Sequence, residues 1–218
     1  MAHIIWDWNG TLFDDLHIVV ESVSACVAPF GRDPISEEDY RDHYTRPVSV
    51  FYESLMGRAI TQDEWASIDG IFHETYRSLM YDANLAADAD TAIRLLADED
   101  GTQSILSMWW HSELVPFTAG FGMHDVMKRI DGNREDAGAL KADQMRAHVE
   151  RLVTNHGVAV ADIVAVGDTF DDAAAARSAG IPIVLYDGGS HHRHELERVG
   201  VPVVSTLTEA VGMTSTLV

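Results

Sequence analysis

The sequence predicts an α/β fold: a parallel sheet with crossover helices, interrupted early by an inserted all-helical segment. Three observations predict it. Short apolar runs alternate with helical patterns along most of the chain, as strands joined by crossover helices do. The stretch from about Asp15 to Ala86 breaks that alternation and holds no strand pattern. Two of the apolar runs end in carboxylates, at Asp7 and Asp168, on the sheet edge where open α/β folds collect ligands.

In chain order, the first strand is expected at 3–7 (His3-Ile4-Ile5-Trp6). Helical pieces follow at 15–28, 37–44, 48–56 and 62–82, with turn residues between them in Gly31-Arg32-Asp33-Pro34 and Gly57-Arg58. The second strand is predicted at 104–108, with a weaker one near 126–130. The helix after Lys141 carries apolar residues at Met145, Val149, Leu152 and Val153 and ends near Gly157. A strand at 163–167 then leads into a helix that starts around Asp171, runs through Ala173–Ala176 and stops at Gly180. Further strands are expected at 182–186 and, more weakly, at 201–204. Residues 1–14 and 87–218 thus form a Rossmann-like parallel sheet core, and 15–86 an inserted all-helical cap.

The chain has 218 residues, 46% of them hydrophobic, and folding at this size buries about two thirds of the unfolded surface. No run approaches the ~20 apolar residues that cross a bilayer. A single cysteine, Cys26, excludes an internal disulfide framework and a cysteine-based zinc site; it reads as a small packing residue of the first cap helix. Fifteen basic and 35 acidic residues give a net charge of −20, with lysine confined to Lys128 and Lys141. That excess speaks against nucleic acid and anionic membranes as partners. The strand pattern starts at His3 and leaves no room for a signal peptide, so a soluble, cytoplasmic protein is expected. The oligomeric state is not set by the sequence.

The segment Ile4-Ile5-Trp6-Asp7-Trp8-Asn9-Gly10-Thr11-Leu12 places an aspartate at the carboxyl end of a buried strand. Gly10 permits a tight turn there, and Thr11 and nearby backbone amides can face an anion. Alone, Asp7 could be no more than a loop cap. The segment Val164-Ala165-Val166-Gly167-Asp168-Thr169-Phe170-Asp171-Asp172 repeats the pattern. Strand ends of a parallel sheet open on one edge, so Asp7 and Asp168 converge. Converging carboxylates suit a hard cation such as Mg2+, which takes oxygen ligands and keeps waters for a substrate phosphate. Ser107, after Ser104-Ile105-Leu106, reaches the same edge and can donate to a phosphoryl oxygen; singly, a serine there is a turn residue. Lys141 opens a helix, where a cation opposes the dipole. Its placement points to a compensating anion, an exposed surface lysine being the plainer alternative.

With these residues in order, Asp-Trp-Asn-Gly-Thr-Leu, Ser107, Lys141 and Gly-Asp-x-x-x-Asp, the chain resembles the four-motif pattern of the haloacid dehalogenase superfamily over essentially its whole length, and in layout its phosphoglycolate-phosphatase-like branch. The resemblance implies a phosphatase acting on a small phosphorylated metabolite. It implies Asp7 as the nucleophile that forms an aspartyl-phosphate. It also implies Mg2+ held by Asp7, Asp168, the backbone carbonyl of Asn9 and, directly or through water, Asp172. Ser107 and Lys141 would hold the transferring phosphoryl group, with Trp8, Thr11 and Arg46 as further substrate-binding candidates.

One position departs from the pattern. The residue two after the nucleophile is usually an aspartate that protonates the leaving group and activates water; here it is Asn9. Losing general acid–base help costs ~10²–10⁴-fold. Three readings stay open: hydrolysis of substrates with good leaving groups, a long-lived phosphoenzyme, or a catalytically weak or inactive member that binds a phosphorylated ligand in a regulatory role. A halide-displacing enzyme is disfavoured because the metal-binding carboxylates are kept. A phosphonatase would need a cap lysine, and no lysine precedes Lys128. A sugar phosphomutase would need the missing aspartate.

Arg46-Pro47 lies between two expected cap helices, where relatives place a specificity loop. There Arg46 either clamps a substrate anion or is solvated. Trp109, Trp110 and His111 follow Ser107 and can line the cleft or pack in the core. His191-His192-Arg193-His194 could suggest a metal, but supporting carboxylate spacing is missing.

Overall fold

The strand β1 (His3–Trp6) is buried along its whole length and paired on both edges, which explains its apolar sequence. The computed structural model of the chain describes residues 1–134 and 140–218. Four helices follow β1: α1 (Leu16–Val27), α2 (Glu37–His43), α3 (Val48–Met56) and α4 (Gln62–Leu79). Ser36 and Thr61 start α2 and α4, each in a reciprocal capping box. A further helix, α5 (Ala89–Asp98), returns the chain to β2 (Thr102–Trp110). Then come α6 (His111–Ala119), α7 (Met123–Val126), β3 (Ile130–Asn133), α8 (Lys141–His156), β4 (Ile163–Gly167) and α9 (Phe170–Ala179). The chain closes with β5 (Ile183–Tyr186), α10 (Arg193–Leu196), β6 (Val203–Val204) and α11 (Leu207–Leu217).

The sheet has six strands in the order β3-β2-β1-β4-β5-β6, and every pairing is parallel. In register, Trp6 lies beside Ile105 of β2 and Val166 of β4. β1 and β4 therefore end within a residue of each other and carry Asp7 and Asp168 to one edge, while β2 runs on to Trp110 and places Ser107, two residues past Ile105, near the same level. Period-two alternation sends Ile4, Trp6 and Trp8 to one face, which α5 and α11 cover. Ile5 faces the other, covered by α8 and by the alanines of α9, whose small side chains allow close approach. A third apolar cluster, including Leu16, Val23, Cys26, Phe51, Tyr52 and Ile68, lies within α1–α4.

Several boundaries differ from the sequence expectations. The weak strand near 126–130 is displaced: Met123–Val126 is a turn of helix and the strand is Ile130–Asn133. The reason is that β3 is polar and yet buried. Asp131, 2% exposed, accepts from Arg129 and from His148 Nδ1 at 2.8 Å. Burial of a carboxylate requires such pairing. His148 Nε2 meets Ser104 Oγ at 2.8 Å, Ser104 Oγ meets His3 Nε2 at 2.9 Å, and His3 Nδ1 meets Thr102 Oγ1 at 2.7 Å. Burial lowers the pKa of His148; with the rings neutral and Asp131 only accepting, His148 donates from Nδ1, Ser104 donates to His148, and His3 donates to Ser104. Burial, and then the neighbouring His148, pull the His3 pKa down to about 3.

Candidate active site

Asp7, one residue past β1, is anchored by its backbone N–H to Val166 O at 2.8 Å. The chain then turns back at once. Trp8 O accepts from Thr11 N at 3.2 Å and Phe13 N at 2.9 Å, while Gly10 adopts φ +71°, open to glycine at little cost. A Cβ on Gly10 would lie 2.6 Å from Asp168 Oδ2, and one on Gly189 would lie 2.2 Å from the same atom. These two backbone approaches wall in Asp168, whose Oδ2 accepts from Ser190 N at 2.8 Å and whose Oδ1 accepts from Thr11 Oγ1 at 3.2 Å.

Asp7, Asp168 and Asp172 are buried and offer carboxylate oxygens within 4.8 Å of one another. Asp172 is held from behind: Thr169 and Asp172 form the reciprocal capping box that begins α9, with Thr169 N donating to Asp172 Oδ2 at 3.0 Å. Its other oxygen, Oδ1, lies 2.6 Å from Lys141 Nζ, which also reaches Asp7 Oδ1 at 2.7 Å. Lys141 is thus the first residue of α8 and is compensated by two carboxylates, the arrangement its unfavourable place on the dipole called for. Burial, and then repulsion from Asp172, raise the Asp7 carboxyl well above its ordinary value. Burial and Asp172 bring Asp168 up to about 6. Burial opposes the Lys141 charge, yet Asp172 and Asp7 hold its pKa above the ordinary lysine value. Three carboxylates against one ammonium leave two negative charges. An all-oxygen donor set with that deficit fits a divalent hard cation.

Ser107 Oγ donates to Asn9 Oδ1 at 3.2 Å and accepts from Trp109 N at 3.0 Å. Asn9 Nδ2 donates to Asp15 Oδ2 at 2.8 Å and to Tyr76 OH at 2.7 Å. The sequence reading missed Asp15, Tyr76 and the backbone N–H of Ser190. Asp15 was detectable as a carboxylate six residues after Asn9; Tyr76 carries no local signal.

Two expectations need correction. The indole of Trp8 is 1% exposed and stacks on Phe13 at 5.3 Å, with Phe121 at 5.8 Å, so it belongs to the core and not to a substrate cleft. Alternation along the strand axis turns it to the face opposite Asp7. Thr11 is fully buried with its hydroxyl on Asp168, so it positions a carboxylate and does not face the cleft. Arg46 pairs through Nε with Asp171 Oδ2 at 2.8 Å, tying the α2–α3 connection to the start of α9. Trp109 packs against Tyr76, ring centroids 4.8 Å apart. In the histidine run, His191 is buried between Phe170 and Tyr44, and His192 Nε2 meets Asp42 at 2.9 Å. Among the described residues the metal-competent group is the aspartate trio alone. Cys26 is fully buried in the helical cluster, as expected.

The chain is similar over most of its length to known proteins. It is 26% identical over 199 residues to a phosphoglycolate phosphatase of Synechococcus elongatus, covering 90% of this chain and 88% of that protein. The crystal structure described as a predicted phosphatase from Clostridium acetobutylicum superposes with a TM-score of 0.82 at 15% identity, over 99% of both chains. A haloacid dehalogenase-like hydrolase of Streptococcus pneumoniae gives 0.79 at 18% identity, over 97% of both. At such identities the structural likeness speaks for the fold. Among the described residues no helix is long and apolar enough to cross a membrane. The model of the haloacid dehalogenase-like hydrolases matches residues 1–180, which hold all four of the motifs assembled at this sheet edge, and the chain belongs to that family.

Proposed function

We propose that the chain is a magnesium-dependent phosphohydrolase that acts on a small phosphorylated metabolite through an aspartyl-phosphate on Asp7. The observation that carries this reading is the convergence of Asp7, Asp168 and Asp172 with Lys141 at one buried point. The phosphoglycolate phosphatase relative supports a small phosphorylated substrate. Asp7, Asp168, Asp172 and the backbone carbonyl of Asn9 would hold the magnesium ion, which when bound neutralises phosphoryl oxygens.

The carboxylate of Asp7 attacks phosphorus, the bond to the leaving oxygen breaks, and the electron pair departs with that oxygen. Water then hydrolyses the acyl phosphate, releasing inorganic phosphate and restoring Asp7. Lys141 orients Asp7 and has a further N–H for the phosphoryl group, since ammonium carries three donors and two go to Asp7 and Asp172. Ser107, whose hydroxyl lies 3.2 Å from Asn9 Oδ1, would supply a further donor. Asn9 can neither give nor take the proton, so leaving groups that need none are favoured. In this reading the helical segment 15–86 is a cap on a core of 1–14 and 87–218, supported by its own apolar cluster, and Arg46 borders the cleft from the cap side.

The test is a screen of phosphorylated metabolites with Mg2+, with an aryl and an alkyl phosphate as references. The reading expects turnover abolished by Asp7→Asn and an aryl rate above the alkyl rate by about 10²-fold or more, given the usual worth of acid catalysis. No turnover of any phosphoester would sink the enzyme reading in favour of a phosphate-ligand-binding role. Equal aryl and alkyl rates would show that another group supplies the proton.

A further inference from the structure

Asp15 is a carboxylate, 1% exposed, to which no lysine, arginine or histidine is paired among the described residues. It is satisfied instead by three neutral donors. Its Oδ2 accepts from Asn9 Nδ2 at 2.8 Å and from Tyr76 OH at 2.6 Å, and its Oδ1 accepts from Gly10 N at 2.8 Å. A carboxylate of this kind only accepts, so the side of the Asn9 amide that faces it must be the NH2. Asn9 Oδ1 is thereby turned toward Ser107 Oγ, 3.2 Å away. The second amide hydrogen goes to Tyr76 OH at 2.7 Å. Both donors of the amide are consumed, and its orientation is fixed from two sides. One is the loop that carries Gly10; the other is α4, which reaches in from the helical segment.

We propose that Asp15, assisted by Tyr76, is a positioning residue for the reaction, and that positions 9 and 15 act as a matched amide–carboxylate pair. This rests on the phosphohydrolase reading above. The pair fixes the acceptor that holds the Ser107 hydroxyl, and it locks the Gly10 turn that encloses Asp168. An aspartate placed at position 9 alone would set two carboxylates 2.8 Å apart with no cation between them. A single replacement at either position therefore breaks the pair, whereas exchanging the two groups preserves one donor facing one acceptor.

The test is a double-mutant cycle: wild type, Asn9→Asp, Asp15→Asn and Asn9→Asp/Asp15→Asn. It uses para-nitrophenyl phosphate with Mg2+, at a temperature where each protein is folded by circular dichroism. On this aryl ester, whose leaving group needs no acid, each single change should lower kcat about tenfold or more while KM moves less than about threefold, since an orienting contact is felt mainly in the transition state. The exchanged pair should regain most of that loss, giving a strong positive coupling. Tyr76→Phe, which removes one hydroxyl and keeps the ring, should lower kcat with KM held. It decides the matter should Asp15→Asn fail to fold. Additive losses in an active cycle, or an unchanged kcat in Tyr76→Phe, would overturn the pairing and leave the phosphohydrolase reading intact. A wild type inert on every phosphoester would overturn both.

Discussion

Removing Asp168 should remove the response of the protein to magnesium, and the size of that response can be worked out in advance. Three carboxylates and one ammonium meet at the edge of β1 and β4, leaving an uncompensated charge of two in a buried space. A ligand that binds the folded state alone stabilises it by RT ln(1 + [L]/Kd), about 2.7 kcal/mol at a hundred times Kd. For a domain of this size about 2–4 °C accompanies each kcal/mol, so saturating Mg2+ should raise Tm by about 5–10 °C. In Asp168→Ala the Thr11 hydroxyl and the Ser190 N–H lose their acceptor, and an unpaired buried polar group costs about 1–3 kcal/mol. The variant's own baseline therefore shifts, and the quantity to read is the increment between chelator and Mg2+. Differential scanning fluorimetry with and without Mg2+ measures it. The reasoning fails if Asp168→Ala keeps the full increment, or if the wild type shows none.

Other outcomes follow from residues away from the carboxylates. His3 has a folded pKa of about 3 against an ordinary 6.5. The unfolded chain thus takes up a proton that the folded one refuses, and stability falls as pH drops below 6.5 toward 3. At pH 5 that is about 1.5 units, or about 2 kcal/mol. In urea unfolding, His3→Gln should show a drop between pH 7.5 and pH 5 smaller by about that amount, and identical drops would mean that His3 is protonated in the fold. Trp8→Ala should cost about 3–5 kcal/mol of stability, as large-to-small core changes do; a loss seen in KM instead would return Trp8 to the cleft. Arg46→Ala should raise KM for the natural substrate more than for para-nitrophenyl phosphate, and equal effects would put Arg46 outside the cleft. It should change stability by under about 1 kcal/mol, its pair with Asp171 being half exposed.

What could be read in the sequence follows from how each element is stabilised. The strands β1, β4 and β5 are buried parallel strands, and such strands must be apolar runs, so they stand out. The strand β3 (Ile-Asp-Gly-Asn) does not, because its stability depends on Arg129 and His148 finding Asp131. The helix α6 contains Pro116 and lacks a clean periodicity, whereas α5 has one, with Ala89, Ala92, Ile93 and Leu96 on one face, that the strand-and-cap reading passed over. At the site, Asp7, Asp168, Asp172 and Lys141 were legible because strand ends and helix starts have fixed places in a parallel sheet. The Asn9–Asp15–Tyr76 cluster was not. Tyr76 lies 61 residues from Asp15, and only the packing of α4 against α1 brings them together.

A count of hydrogen-bond donors connects the two parts of the site. Lys141 commits two of its three N–H groups to Asp7 and Asp172 and has one for a ligand oxygen. Ser107 has one proton, now given to Asn9 Oδ1 at 3.2 Å, a long contact for a hydroxyl donor. That proton can swing to a phosphoryl oxygen at small cost, leaving Asn9 Oδ1 with its remaining acceptor capacity. The Asn9 amide hydrogens cannot follow, because both lie in shorter contacts of 2.8 and 2.7 Å to buried oxygens. Breaking either would leave an amide N–H without its acceptor inside the fold, which costs more than a surface bond. The loop after β1 is thus firm exactly where it faces Asp15 and yielding where it faces Ser107. In the proposed reaction, position 9 would contribute the placement of other groups, and the chemistry would fall to Asp7, Lys141 and the carboxylates beside them.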